Sequence, residues 1–190
     1  GILIEDSPYG ELFFDKKNVS ISSKLPKNSF HLGSFSKTLV PSLRIGWIRA
    51  DEELLKSLMI IKESIDLHSC GISQYILTEY LKDEQKYEKH LQEIRNDYSK
   101  KANFFSEQLN LIMPEFKHEK PKGGMFLYGT FEDEIDTFAL VQECLKKKVV
   151  YVPGNQFYID KVPNGEIRFN YTHSSFEQIE KGIKLIKSCL

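Results

Sequence analysis

The chain has 190 residues, 41% of them hydrophobic, enough for one domain, or one and a part, around a buried core. Its 26 basic and 27 acidic side chains leave a formal net charge of −1, so charge gives no reason to expect nucleic acid or an anionic membrane as partner. No apolar run approaches the roughly 20 residues of a membrane span, and Cys70, Cys144 and Cys189 form no Cys-x-x-Cys pair that would point to zinc or a disulfide framework. The expectation is a reduced, intracellular protein without a signal peptide. The chain lacks an initiator Met and opens on what reads as a buried strand, so a fragment of a longer protein is expected.

Ile2 to Ile4 is a short apolar run ending in Glu5-Asp6-Ser7-Pro8-Tyr9-Gly10. Asp-Ser-Pro is ordinary turn chemistry. In α/β sheets, ligands also sit just beyond the carboxyl ends of strands, where Asp6 and Tyr9 fall. Phe13 to Lys24 reads as a polar loop with a short strand. Asn28 to Leu32 reads as the next buried strand, with His31 packed inside it. Then comes the densest chemistry of the chain, Gly33 to Gly46. It sets Ser34, Ser36, Lys37 and Arg44 between the apolar runs Phe30 to Leu32 and Leu43 to Ile48. Hydroxyls and a guanidinium donate to an anion such as phosphate. A lysine held beside them can attack a carbonyl and form an imine. One cofactor needs both, pyridoxal phosphate. Ser34-Phe35-Ser36-Lys37 also matches the Ser-x-x-Lys nucleophile motif of penicillin-binding proteins and β-lactamases, but the companion Ser-Asp-Asn and Lys-Thr-Gly elements do not occur in the chain.

Asp51 is placed to cap a helix opened by Glu52 and Glu53. Leu54, Leu58, Ile61 and Ile65 recur there at helical spacing, a stripe expected to pack on the sheet. Asp66 to Cys70 breaks the helix, and the next one sets Ile72, Ile76 and Tyr80 on one side. Tyr87, Leu91, Ile94, Tyr98, Phe105 and Leu109 mark one long amphipathic helix, about Glu84 to Asn110, roughly 40 Å long at 1.5 Å per residue. Its charged face reads as solvated. A helix of that length suits a connector, so the domain boundary is placed inside it, with residues 1–95 in one domain and 96–190 in the other.

Lys122 to Tyr128 reads as a turn entering a strand, and Glu132-Asp133-Glu134 as a solvated turn. Ile135, Phe138, Val141 and Leu145 give one face of a helix, and Val149 to Val152 a short strand ending at Pro153-Gly154. From Glu166 to Thr172 the pattern alternates, with Ile167, Phe169 and Tyr171 on one face and Arg168, Asn170 and Thr172 on the other. An arginine on such a polar face is ordinarily half of a surface ion pair. Ser174 and Glu177 read as a capping box for a last helix with core face Phe176, Ile179, Ile183 and Ile186. Strand, helix, strand, strand, helix makes an α+β lobe.

The run Ser34-Phe35-Ser36-Lys37-Thr38-Leu39-x-Pro41-x-Leu43-Arg44-x-Gly46-Trp47 resembles the lysine loop of fold-type-I pyridoxal-phosphate enzymes, in the form found in class I/II aminotransferases of the aminoadipate and kynurenine type. Glu5-Asp6-x-Pro8-Tyr9-Gly10-Glu11-Leu12 upstream resembles a motif of the same family. So do Gly123-Gly124-Met125-Phe126, Val152-Pro153-Gly154-x-x-Phe157 and Ile167-Arg168-Phe169 downstream. The resemblance covers nearly the whole chain but only the C-terminal half of the family's fold. It implies an α/β architecture: part of the large domain, a mostly parallel sheet with flanking helices, then a small α+β C-terminal domain. It implies an aminotransferase that moves an amino group from an amino acid to a 2-oxo acid, working as a cytoplasmic homodimer. Under that resemblance Lys37 holds the cofactor, Asp6 pairs with the pyridine nitrogen and Tyr9 bonds the ring's phenolic oxygen. Ser34, Ser36 and Arg44 hold the phosphate, and Arg168 clamps the substrate's α-carboxylate. A carboxylate beside the pyridine nitrogen keeps it protonated, and a protonated ring is the better electron sink. Two other functions share the scaffold: the effector domain of a MocR-type transcription regulator, and a pyridoxal-phosphate lyase. The regulators usually carry Glu-Asp-Asp-Tyr-Asp-x-Glu-Phe ahead of the lysine strand. Ser7-Pro8-Tyr9-Gly10 in this chain favours the enzyme.

Overall fold

Strands β1 (Leu3–Asp6), β2 (Ser29–Ser34) and β3 (Gly46–Arg49) form a sheet in that spatial order in the computed structural model, which describes residues 1–131, 135–160 and 164–190. Glu132, Asp133 and Glu134, read above as a solvated turn, lie outside the described residues. The chain divides into two units, Gly1–Arg95 and Asn96–Leu190.

In the first unit β1 and β2 are parallel and β2 and β3 antiparallel, so this sheet is mixed rather than mostly parallel. Only the residues between Ser34 and Gly46 join β2 to β3. A parallel crossover needs a dozen or more, so β3 returns antiparallel. Between β1 and β2 the short strand expected from Phe13 to Lys24 is absent, and a 3₁₀ turn, Ile21–Lys24, stands there instead. Its cause is Glu5. The Ser20 hydroxyl and the Ser22 and Ile21 amides donate to the Glu5 carboxylate at 2.6, 2.8 and 3.3 Å. A segment whose amides converge on one carboxylate cannot be extended.

Three helices follow, α1 (Phe35–Thr38), α2 (Glu52–Asp66) and α3 (Gly71–Leu81). Asp51 caps α2 as its sequence predicts, its Oδ1 accepting from the Glu53 amide at 3.1 Å. The packing of α2 on the sheet does not follow. No residue of α2 is buried, and Ile65 is 77% exposed. On α3 the expected Ile72 and Ile76 are exposed and Leu77 is the buried residue. Strands of four to six residues offer too little apolar area to cover two helices.

Helix α4 (Glu84–Ile112) has 29 residues, roughly 44 Å at 1.5 Å per residue, and the boundary between the units falls within it. Its charged face is not wholly solvated: Arg95 is only 5% exposed.

The second unit holds β4 (Phe116–His118), β5 (Phe126–Phe131), β6 (Val152–Pro153) and β7 (Glu166–Asn170), in the order β4-β5-β7-β6 with every pair antiparallel. β4 has no counterpart in the sequence reading, and β6 is shorter than the Val149–Val152 run, while Lys148, in the turn that ends α5, takes φ +61°. Leu127, Phe131, Ile167 and Phe169 face a core closed by Ala102, Phe105 and Leu109 of α4 and by helices α5 (Thr137–Lys146) and α6 (Phe176–Lys187). Phe169 is its hub, with ring centroids of Phe105, Phe116 and Tyr151 at 5.2, 5.5 and 5.8 Å. On α5 the buried face is Thr137, Leu140, Val141 and Cys144, one step away from the expected Phe138 and Leu145. The N-cap of α6 is Ser175, paired with Gln178, rather than Ser174 with Glu177. Among the described residues no helix is long and apolar enough to cross a membrane.

Candidate active site

The first unit brings four segments to one end of its sheet. Asp6 ends β1 and lies beside Leu32, and Ser34 ends β2 beside Gly46, the first residue of β3. The Phe35 amide donates to the Ile45 carbonyl at 3.0 Å, which ties the start of α1 to the end of the loop. Ser34 caps α1: its Oγ accepts from the Ser36 amide at 3.2 Å. That bond uses a lone pair and leaves the hydroxyl proton free to donate. Lys37 follows on the same turn, with Nζ 5.9 Å from the centre of the Tyr9 ring. Asp6, Ser34, Ser36, Lys37 and Arg44, all singled out in the sequence, are therefore collected by the ends of adjacent strands and one short loop, and Tyr9 joins them.

Backbone constraints fix the loop. Pro41–Leu43 form a 3₁₀ turn closed by the Arg44 amide on the Pro41 carbonyl at 3.3 Å. Arg44 then turns left-handed, φ 52° and ψ 40°, a conformation that costs a non-glycine residue about 1–2 kcal/mol. Gly33 lies under the Trp47 ring, where a Cβ would come within 2.2 Å of it. Any larger residue at position 33 would displace either the indole or the strand that ends at Ser34.

The sequence missed the supports behind this loop. Thr38 is buried, and α4 holds it: the Tyr87 hydroxyl donates to Thr38 Oγ1 at 3.3 Å and His90 Nε2 meets the Thr38 carbonyl at 3.0 Å. Burial pushes the Tyr87 phenol up, so it stays a donor. Arg95 holds the segment after β1. Its Nε donates to the Glu11 carbonyl at 2.8 Å and its Nη1 to Glu88 at 2.7 Å, and its guanidinium lies 4.0 Å from the centre of the Phe13 ring. Tyr9 belongs to that segment, since the Leu12 amide donates to the Tyr9 carbonyl at 2.9 Å. One signal was available. Arg95 stands four residues after Leu91 and seven before Ala102, inside the apolar stripe of α4.

Among the described residues the side chains of Asp6, Lys37 and Arg44 have no hydrogen bond or ion pair. A carboxylate, an ammonium and a guanidinium left open at one sheet end, with hydroxyls beside them, match the three polar ends of pyridoxal phosphate: ring nitrogen, aldehyde and phosphate. Among the described residues no three His, Cys, Asp or Glu are arranged to hold a metal ion.

In the second unit Arg168 lies on β7 opposite Tyr128 of β5 and Val152 of β6. Its guanidinium sits between two rings, 4.3 Å from the centre of Phe126 and 4.6 Å from that of Phe157. Among the described residues its Nε is buried with no hydrogen-bond partner. A buried donor left without a partner is costly. Among the described residues Arg168 makes no surface ion pair.

The family model for class I and II aminotransferases matches residues 1–186. An aromatic-amino-acid aminotransferase of Thermococcus litoralis is 36% identical over 187 residues, covering 96% of this chain and 44% of that protein. The transcriptional regulator NorG of Staphylococcus aureus is 35% identical over 185 residues, covering 95% of this chain and 41% of the regulator. The kynurenine aminotransferase of Pyrococcus horikoshii, solved with PMP and with KYN and KYA as substrate and product, superposes with a TM-score of 0.92 at 36% identity, over 99% of this chain and 47% of that one. The chain thus spans about half the length of the relatives it matches.

Proposed function

Because this chain belongs to the class I and II aminotransferase family, we propose that the protein it forms, or forms part of, is a pyridoxal-phosphate-dependent transaminase that moves an amino group from an amino acid to a 2-oxo acid. The observation that carries the reading is the set of unpaired groups at one sheet end, Asp6, Lys37 and Arg44, in a chain of this family. On the same reading residues 1–95 are the C-terminal part of the large domain and 96–190 the small domain, and the protein acts in the cytoplasm as a homodimer.

The cofactor, when bound, supplies a carbonyl for the substrate's amine and a ring that draws electrons from the substrate's Cα. The rest falls to the protein. Lys37 would be the residue that holds the cofactor's carbonyl end, and its Nζ would serve as the base for the proton on the substrate's Cα. Asp6 keeps a proton on the pyridine nitrogen, because an adjacent negative charge favours the charged ring. Tyr9 would donate to the ring's phenolic oxygen. Arg44 supplies charge to the phosphate, while Ser34 and Ser36 supply directed hydrogen bonds. Arg168 offers its fork to the substrate's α-carboxylate, and the flanking rings of Phe126 and Phe157 hold its plane.

Borohydride reduction in the presence of pyridoxal phosphate, followed by peptide mapping, tests this. A pyridoxyl adduct on Lys37 is expected. A folded full-length protein that gives no adduct there refutes the reading. The identity to NorG favours a second one, the sensing domain of a regulator. An amino-acid half-reaction separates the two. A transaminase converts the cofactor's absorbance on addition of an amino acid and releases a 2-oxo acid, whereas a sensor binds without turnover.

A further inference from the structure

Arg168 has an acidic neighbour that it does not pair with. Glu166 and Arg168 are two residues apart on β7, so their side chains leave the same face. An arginine within reach of a carboxylate ordinarily closes on it as a fork. Here the carboxylate is taken by two phenols. The Tyr128 hydroxyl donates to Glu166 Oε2 at 2.6 Å and the Tyr158 hydroxyl to Glu166 Oε1 at 3.0 Å. Among the described residues Arg168 has no ion pair at all, and its Nε is buried without a partner.

The geometry holds both phenols in place. Tyr128 is the cross-strand partner of Arg168. Tyr158 directly follows Phe157, the residue whose ring lies 4.6 Å from the Arg168 guanidinium. Gly154, just after β6, packs its backbone against this pair: a Cβ there would come within 2.3 Å of Glu166 Cβ and 2.9 Å of both Glu166 Oε2 and the Tyr128 hydroxyl. The backbone at Gly154 thus packs closely against the Glu166 side chain. Burial first, and then the bond to Glu166, push the Tyr128 phenol up, and the bond to Glu166 does the same for Tyr158. Both remain donors across the physiological range.

We propose that Tyr128 and Tyr158 are positioning residues that hold the Glu166 carboxylate off Arg168 and so keep the guanidinium open for the carboxylate of the substrate. This rests on the reading of Arg168 given above. Without the two phenols Glu166 would become an intramolecular competitor for the same fork. A substrate would then first have to break an ion pair.

The test uses the full-length holoenzyme and whichever of the twenty common amino acids gives the fastest half-reaction. It also uses 3-phenylpropanoate, a carboxylate with no amine to react, titrated by calorimetry. In the double variant Tyr128→Phe with Tyr158→Phe, KM for the amino acid is expected to rise about tenfold or more, as is typical for losing a charge-assisted hydrogen bond. The maximal half-reaction rate changes little, and the Kd for 3-phenylpropanoate rises in step. Adding Glu166→Gln to the double variant removes the competitor's charge and returns both constants to within about twofold of the parent. A merely structural latch would not be rescued this way, so a triple variant as impaired as the double overturns the proposal. Arg168→Lys provides the separate arm. If it leaves both constants unchanged, the reading of Arg168 falls and takes this proposal with it. If it raises them while the tyrosine variants do not, the reading of Arg168 stands and only the tyrosine latch falls.

Discussion

At the scale of single residues, the lysine loop was legible because its chemistry is carried by side-chain identity and order. Lys37, Ser34, Ser36 and Arg44 need no tertiary information to be found together. Glu5 was not legible, although it organises the turn between β1 and β2. It stands next to Asp6 as one more acidic residue, and its partners Ser20 and Ser22 lie 15 and 17 residues away. Those bonds, the Ser20 hydroxyl first and the Ser22 amide second, hold its carboxyl down from the ordinary 4.5 to about 2. The sign follows. Between those two values the unfolded chain binds a proton at Glu5 that the folded chain refuses, so stability rises with pH across that window. The contribution is complete above about 4.5 and is lost as pH falls toward about 2. Trp47 is the chain's single tryptophan and lies 5.2 Å from the His31 ring, whose Nδ1 meets the Ser20 and Ser22 hydroxyls at 3.2 and 3.1 Å. Its fluorescence therefore reports on this corner. Urea midpoints for Glu5→Gln should fall below those of the parent at pH 7 and converge with them as pH drops through the window. A gap of equal size at pH 7 and pH 3 would mean that the ionised carboxylate is not what holds the turn.

At the scale of elements, sequence periodicity located the helices but not always their first residue, and the first residue decides which face is buried. On α5, Asp136 Oδ1 accepts from both the Phe138 and Ala139 amides at 3.0 Å, which starts the helix at Thr137. Thr137 is itself drawn inward, donating to the Asn164 and Glu166 carbonyls at 2.7 and 3.0 Å. The stripe then runs through Leu140, Val141 and Cys144, and Phe138 turns outward. A buried threonine does not register in an apolar pattern. On α6 the sequence holds two capping frames one residue apart, Ser174 with Glu177 and Ser175 with Gln178. Local sequence does not choose between them. The structure takes the second: the Gln178 amide donates to Ser175 Oγ at 3.2 Å and the Ser175 amide to Gln178 Oε1 at 2.9 Å. Phe176, the first helical residue, packs on Phe104 with ring centroids 5.0 Å apart, which pins that frame. Ser175→Ala should then cost about 1 kcal/mol of unfolding free energy, while Ser174→Ala should stay within about 0.5 kcal/mol. Urea denaturation followed by circular dichroism measures both. Equal losses, or the larger one at Ser174, would restore the frame read from sequence.

At the scale of the whole molecule, what decides the behaviour of this chain is apolar surface that its own residues do not cover. Two separate compact domains of half its mass would together expose roughly 11,300 Å². The chain exposes 12743 Å². Much of the apolar part lies between Met59 and Ile76, where Met59, Ile60, Ile65, Leu67 and Ile72 are each about two-thirds exposed or more. The amphipathic pattern of α2 and α3 reads correctly as a demand for cover, because periodicity records that a face is apolar. It does not record what meets that face. The relatives that this chain matches are about twice as long, and exposed apolar patches of this kind mark surfaces that bind something. Expressed as these 190 residues alone, the protein is therefore expected to bind a hydrophobic dye such as ANS and to elute above the 22.1 kDa of a monomer. Replacing Ile60 with Glu and Ile65 with Lys should reduce both signals and leave the melting temperature nearly unchanged, since neither side chain is buried. Dye fluorescence and light scattering on the two proteins decide it. A dye-silent monomer would mean that α2 finds its cover within this chain after all, and the stripe Leu54, Leu58, Ile61 and Ile65 would then be doing what its spacing predicts.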